Sequence, residues 1–213
     1  MKQMLRKMTL RRSAVMLLGI VLLSFGIALF KLSRMGNDPS TAQVIAIADR
    51  AGVDFSVMML AANCVWFLAE LIWGRHMIGV GSFVNWAGVG PLASMFVREL
   101  EPLLQTEEPG TLGVRLALMA AGVLIVSLGA SMYQKADVGI APYDSLALIL
   151  DERLAKIPYF WCRIFTDGIC ALVAWALGGI VGLGTLVCAL GLGPFIAFFD
   201  RTVSGRLAGE TAK

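Results

Sequence analysis

The chain has 213 residues, of which 58% are hydrophobic and only 15% charged, and its mean hydropathy is +0.77. A soluble domain of this length cannot bury so much apolar surface, so the composition excludes a soluble globular protein and indicates an integral membrane protein. The net charge of +3 comes mostly from the basic segment 1–12, which beside an apolar span marks a cytoplasmic tail and not a nucleic-acid-binding arm.

Three apolar runs in the first half of the chain are each long enough to cross a bilayer, which takes about 20 residues. They are residues 13–30, about 55–73 and about 78–97. A shorter helix is predicted between the first two, because Asp38 as N-cap and Pro39 at the first helical position are favourable helix starts. This helix, 39–50, is too short to span, so we expect a half-helix that dips partway into the membrane.

An acidic linker, 98–112, separates the first half from a second half with the same order of elements. The predicted elements of the second half are spans at about 114–133, 158–177 and 180–199, a half-helix at 142–154, and a polar cytoplasmic tail at 201–213. Each half therefore has three spans and one half-helix.

A shift of 103 positions aligns the two halves without a gap. It pairs GNDP at 36–39 with GIAP at 139–142, and GVGSFVNWAGVGP at 79–91 with GLGTLVCALGLGP at 182–194. Glycine and proline recur at equal offsets where backbone geometry is special, which matching leucines would not show. We therefore predict two structural repeats, 13–97 and 113–200, as in many membrane transporters.

The predicted fold is all-α: a polytopic membrane helix bundle of two internal repeats, with about six full spans and two half-helices. Re-entrant half-helices give three crossings per repeat and inverted copies, whereas half-helices that cross give four and parallel copies. The distribution of Lys and Arg does not choose between these models, and both place the two termini in the cytoplasm. The short half-helices favour the inverted model.

A half-helix that begins inside the membrane has N–H groups without backbone partners, and its positive dipole end favours anions or lone-pair donors. We predict that polar residues at the two starts bind a solute between the repeats. They are Ser40, Thr41 and Gln43 in the first copy and Tyr143, Asp144 and Ser145 in the second. The alternative is that Asp38 only caps its helix and Asp144 only offsets a dipole.

Arg163 and Asp167 lie four residues apart in span 5 and so share a helix face. A charge inside the membrane costs about 2.5 to 3.5 kcal/mol, so we expect this pair to face inward and to line a polar cavity. A buried structural ion pair is the alternative. Asn63, which the repeat aligns with Thr166, adds a polar group at similar depth in span 2. Glu70, near the end of span 2, is expected at the membrane interface rather than in a proton relay.

No motif for catalysis or nucleotide binding occurs, so we expect neither an enzyme nor catalytic residues. The four cysteines lie in apolar segments without a CxxC pair, which predicts free thiols, no metal site and no cofactor.

The Gly-x-x-Pro after span 1 and the glycine-rich third span ending in Gly-Pro resemble those of the YczE/YyaS/YitT family of bacterial membrane proteins. The second copy, with Tyr143, Asp144 and Thr185, fits this pattern better than the first, which has Ser40 and Ser82 at equivalent positions. The resemblance covers about residues 13–200 and implies a multi-pass protein of the bacterial inner membrane. Some members of that family are associated with control of secondary-metabolite production.

Two functions are consistent with these patterns. The first is a small secondary transporter or permease for a small polar or anionic solute, bound between the half-helix starts. The second is a non-transporting membrane protein that regulates or scaffolds partners. The expected partners are the lipid bilayer and the solute, without nucleic acid, and self-association into a homo-oligomer is left open.

Overall fold

The computed structural model describes residues 9–104, 112–154, 156–157 and 159–208, and this part of the chain is helical without strands, as predicted. The helices are α1 (Leu10–Ser33), α2 (Pro39–Ala51), α3 (Phe55–Trp73), α4 (Val80–Leu104), α5 (Leu112–Lys135), α6 (Pro142–Arg153), α7 (Tyr159–Ala176), α8 (Leu183–Phe199) and α9 (Gly205–Ala208). A 3₁₀ turn, Arg75–Met77, precedes α4, and a π-helical turn, Asp200–Ser204, joins α8 to α9.

Five helical segments in the described part of the chain are long and apolar enough to cross a membrane: α1, α3, α4, α5 and the continuous segment Leu183–Leu207. Helix α7, predicted as span 5 of six, is not among them, because Arg163 and Asp167 lower the hydropathy of its 18 residues. Apolar side chains on the outside of the bundle, such as Val65, Phe165 and Trp175, are 61% to 68% exposed. Such a surface suits contact with lipid and not with water.

Two predicted boundaries differ from the structure. Helix α4 continues to Leu104 and so includes the first part of the predicted linker, because the Arg, Glu and Leu residues of 98–101 are strong helix formers. Residues 201–208, predicted as part of a polar tail, are helical as well. The remainder of the linker up to residue 111, and the end of the C-terminal tail from residue 209, lie outside the described residues, as do residues 1–8.

Helices α1 and α5 run antiparallel and form the closest helix pair in the fold. Gly19 lies against Gly129, and Gly26 lies against Gly122. Residue numbers therefore increase along α1 as those of the contacting residues decrease along α5, as expected for antiparallel helices. A Cβ added to Gly129 would lie 2.5 Å from the Leu23 nitrogen. Small residues at these crossings let the two backbones touch, which is how membrane helices gain packing energy without a hydrophobic effect between them.

Polar contacts fix one end of this helix pair. Arg12 lies 3.8 Å from Asp137, and the guanidinium of Arg11 donates to the carbonyls of Arg206 and Leu207 at 2.6 and 2.7 Å. The start of α1 and the C-terminal helix α9 therefore lie at the same end of the bundle.

The other helices pack in matched pairs. Helix α1 packs on α4 and α5 on α8, while α2 packs on α7 and α6 on α3. Two hydrogen bonds fix the loops before α2 and α6: Gly184 N–H to Met35 O, and Gly81 N–H to Val138 O, both 2.9 Å. The two donors are 103 residues apart, and so are the two acceptors.

Candidate functional site

A cavity of about 590 Å³ lies in the middle of the bundle, and all of the helices from α1 to α8 contribute to its wall. The starts of α2 and α6 meet there, with Asp38 on one side and Asp144 on the other. Prolines set both starts, because Pro39 and Pro142 occupy a helical position whose N–H would be unpaired in any case. The two short helices therefore bring their first turns, and the polar side chains on them, to one space.

An ionic network built on Arg163 forms one wall of the cavity. Arg163 donates from Nη1 to Asp144 Oδ1 at 2.6 Å and from Nε to Asp167 Oδ2 at 3.3 Å. The hydroxyl of Tyr143 donates to the second oxygen of Asp167 at 2.5 Å. One arginine thus holds carboxylates from α6 and α7, so the predicted pair of Arg163 and Asp167 is in fact a triad.

Aromatic rings and an amide extend this network. The ring of Tyr143 has the Arg163 guanidinium at 5.0 Å from its centroid and the Trp66 ring at 5.0 Å. Gln134, near the end of α5, donates to Asp144 Oδ2 at 3.4 Å. Both oxygens of Asp144 and both of Asp167 therefore accept hydrogen bonds, and buried charges are tolerable only when they are paired in this way.

Asp38 differs from these two carboxylates. Its Oδ1 accepts from the Thr41 N–H at 3.1 Å and from the Ser40 hydroxyl at 2.7 Å, so it caps α2 as predicted. Its Oδ2 has no hydrogen-bond partner among the described residues, and Asp38 lines the cavity. The cap therefore uses one oxygen and leaves the other for a further contact.

Seven of the nine predicted site residues line the cavity: Ser40, Thr41, Asn63, Tyr143, Asp144, Arg163 and Asp167. Gln43 and Ser145 do not. Ser145 is fully buried and donates to the Pro142 carbonyl at 2.8 Å within its own helix turn. The prediction took whole first turns, whereas successive residues of a helix point in directions about 100° apart and only part of a turn can face one cavity.

Sequence reasoning missed several lining residues. Trp66, Asn85 and Gln134 each lie on a long apolar helix, and nothing in the local sequence shows which face of that helix is turned inward. A polar residue inside a predicted span was the available signal for Asn85, since such residues are expensive in lipid and usually face the bundle interior, whereas Gln134 lies just past the predicted end of its span.

Glu70 does not lie at an exposed interface, so that expectation is wrong. The side chain is fully buried, and neither carboxyl oxygen has a hydrogen-bond partner among the described residues. Helix α6 covers this part of α3: a Cβ at Gly74, one turn after Glu70, would lie 3.0 Å from Ile149. The sequence could not show that α6 folds back over the end of α3.

Replacing Glu70 by methionine is expected to stabilise the protein. A buried polar group without a partner costs about 1 to 3 kcal/mol, and Met has a similar length without polar oxygens. The thermal unfolding temperature of purified Glu70→Met in detergent should therefore exceed that of the wild type, whereas Glu70→Gln, which keeps a polar group there, should not gain. A lower unfolding temperature for Glu70→Met would show that the carboxyl group has a stabilising partner.

The charged side chains that line the cavity are mostly acidic. They comprise four aspartates, Asp38, Asp144, Asp167 and Asp200, and one arginine, Arg163, for a formal charge of −3. The positive ends of α2 and α6 are already matched by Asp38 and by Asp144 in the first turn of its helix. The expected attraction for an anionic solute is therefore offset by the protein's own carboxylates.

The four cysteines are free thiols, as predicted. Within the described ranges, no three His, Cys, Asp or Glu side chains are grouped so that they could hold a metal ion.

Comparison with known proteins shows relatives without an assigned function. The chain is 24% identical over 193 residues to an uncharacterized protein of Haemophilus influenzae, which covers 90% of this chain and 84% of that protein. It is also 24% identical over 181 residues to the uncharacterized membrane protein YczE of Bacillus subtilis, covering 84% of this chain and 81% of that one, which confirms the predicted resemblance. No solved structure matches the chain significantly. The model of a family of unknown function, DUF6198, matches residues 10–201, and the chain belongs to that family.

Proposed function

We propose that this membrane protein is a small secondary transporter or permease, and not an enzyme, and that it binds a small polar solute between the starts of α2 and α6. The observation that supports this most is the ionic network of Arg163 on the wall of a 590 Å³ cavity. Charges at this depth are costly, and a protein that only needs a stable bundle gains nothing from them. A solute pathway accounts for them.

The matched helix pairs support two inverted repeats, which is the architecture in which transporters bind solutes at the centre. Helix α1 is antiparallel to α5, its predicted counterpart, and the main helix contacts of one half have counterparts in the other. Arg34 and Asp137, 103 residues apart, both have φ near +50°, and Gly36 and Gly139 both have positive φ. Parallel copies would instead place α1 and α5 in the same direction.

A cavity-filling variant tests the proposed site. Gly193 lines the cavity, and a Cβ there meets no atom within 4 Å, so Gly193→Leu should fold and occupy solute space. A thermal-shift screen of the purified protein against metabolites should find a stabilising compound, since a ligand at 100 times its Kd adds about 2.7 kcal/mol. That stabilisation should be lost in Gly193→Leu.

The matched control is Gly113→Leu, at another glycine with open space around it and outside the cavity. It should keep the response of the wild type. A protein that responds to no metabolite but copurifies with a large partner would instead support the alternative, a non-transporting regulator or scaffold.

Inverted repeats make a prediction about topology in the bacterial plasma membrane, with both termini in the cytoplasm. In a cysteine-free background, Leu103→Cys, at the 77% exposed end of α4, should react with a membrane-impermeant maleimide added to intact spheroplasts. Leu207→Cys, at the end of the last span, should react only in inside-out vesicles. Labelling of both positions from the cytoplasmic side would support parallel repeats.

A further inference from the structure

We infer that the solute is a small organic cation that carries an ammonium group. This inference rests on the proposed function, because it concerns the same cavity. The first observation is the imbalance of charge: four aspartates line the cavity, and Arg163 is the one cationic side chain among the described residues that line it. An anion would add to this negative charge, whereas a cation would offset it.

Part of the unbalanced charge lies at Asp38. Arg163 is shared between Asp144 and Asp167, and its two contacts leave no separate cation for Asp38. Asp38 is close enough to Asp167 for the two charges to interact. Because its Oδ2 has no hydrogen-bond partner among the described residues, an ammonium group in the cavity would gain an ion pair there, and an ammonium with an N–H would gain a charge-assisted hydrogen bond as well.

An independent observation comes from Asn85 on α4. Its side chain is 5% exposed and lines the cavity, yet the amide Nδ2 has no hydrogen-bond partner within the described part of the chain. Buried amides are nearly always hydrogen-bonded, so an unpaired one on a residue that lines a cavity indicates a ligand group or water that completes it. A polar substituent on the cation, such as a hydroxyl, fits this role.

Aromatic side chains supply the remaining chemistry. Trp66, Tyr143, Tyr159 and Phe160 all line the cavity. Aromatic faces attract ammonium groups through the ring quadrupole, and such rings are the usual walls of organic-cation sites. Arg163 already makes this contact with Tyr143, at 5.0 Å, so Trp66, Tyr159 and Phe160 are the rings left for the solute.

The test compares cationic probes with a neutral and an anionic probe of similar size. The cationic probes are ethanolammonium, which has N–H groups that can donate to Asp38 Oδ2, and choline, which has none and tests charge attraction alone. The controls are the neutral isostere of choline, in which carbon replaces the nitrogen, and tert-butylacetate, a carboxylate of the same skeleton. Thermal unfolding of the full-length protein in detergent is measured against the concentration of each probe. We expect a saturable rise of the unfolding temperature with a cationic probe and none with the neutral or anionic one.

Removing the charge of Asp38 should weaken the response. Asp38→Asn keeps an oxygen for the N-cap, and Asn is as good an N-cap as Asp, so the variant should fold. The apparent Kd for the cationic probe should rise by at least about tenfold, the equivalent of one weak charge pair. Asp54→Asn is the matched control, since Asp54 caps α3 in the same way, through the Ser56 N–H at 2.8 Å, but lies outside the cavity. That variant should bind like the wild type.

The outcomes separate this inference from the proposed function. Stabilisation by tert-butylacetate alone that is lost in Gly193→Leu would show that the solute is not a cation, and it would still support the proposed site. No response to either cation, with a neutral or anionic metabolite hit that Gly193→Leu abolishes, would do the same. No response to any probe and no metabolite hit would overturn both. An unchanged Kd in Asp38→Asn would overturn the assignment of Asp38 as the partner of the cation.

Discussion

Gly79→Ala is expected to prevent accumulation of the folded protein. The added Cβ would overlap the carbonyl oxygen of Val138 and would lie 2.6 Å from the Cα of Gly139. Both are backbone atoms, which cannot rotate away as a side-chain end can. Residues 138–140 would have to move. The hydrogen bonds from the Gly81 N–H to the Val138 carbonyl and from the Ile140 N–H to the Met77 carbonyl would then be lost.

The expected cost is several kcal/mol. Overpacking of a core costs about 1 to 3 kcal/mol even where side chains can adjust, and two backbone hydrogen bonds are lost in addition. This is a large share of a total stability of about 5 to 15 kcal/mol. The measurement is the yield of monodisperse protein in mild detergent together with its thermal unfolding temperature.

Two further glycines complete the comparison. A Cβ at Gly182, 103 residues later, would overlap the Met35 carbonyl oxygen, so Gly182→Ala should be as damaging. Gly168, inside α7, has no atom within 4 Å of an added Cβ, and Gly168→Ala should fold at least as well as the wild type because Ala is the better helix former by up to about 1 kcal/mol. Normal yield of Gly79→Ala would contradict the close contact between this position and the loop before α6.

The features that could be predicted from the sequence are those that the backbone imposes. Pro39 and Pro142 are the first residues of α2 and α6, because proline is favourable in the first turn of a helix and unfavourable at later positions. The apolar runs gave the long helices, since a bilayer fixes their length. Arg163 and Asp167 were predicted to face inward because their burial in lipid would be too costly.

The features that could not be predicted depend on which helix covers which. Asp144 shares Arg163 with Asp167 because α6 and α7 pack together, which no spacing along the chain expresses. Glu70 is buried because α6 folds over the end of α3. An anionic solute was expected from the two helix starts, but its electrostatic basis is offset in the structure, where the one arginine among the described lining residues is shared between Asp144 and Asp167 and none is left for Asp38.

The second large effect is expected for Arg163→Met, which should destabilise the protein much more than Asp167→Asn. Loss of Arg163 leaves Asp144 and Asp167 buried without their cation, and breaking a buried ion pair from one side costs about 3 to 5 kcal/mol. Asp167→Asn keeps an acceptor for the Tyr143 hydroxyl, and Arg163 still has Asp144 at 2.6 Å. Thermal unfolding of the two purified variants gives the order directly.

The control is a variant in which the network carries no charge: Asp144→Asn, Arg163→Met and Asp167→Asn together. It should recover most of the stability lost in Arg163→Met, because no buried charge is then left unpaired. If the network serves the solute, this neutral variant folds but no longer responds to compounds that stabilise the wild type. If the neutral variant responds to these compounds as the wild type does, the network is not part of the solute site and only holds α6 against α7. Equal destabilisation by Arg163→Met and Asp167→Asn would contradict the triad itself, because it would mean that Asp144 does not share the arginine.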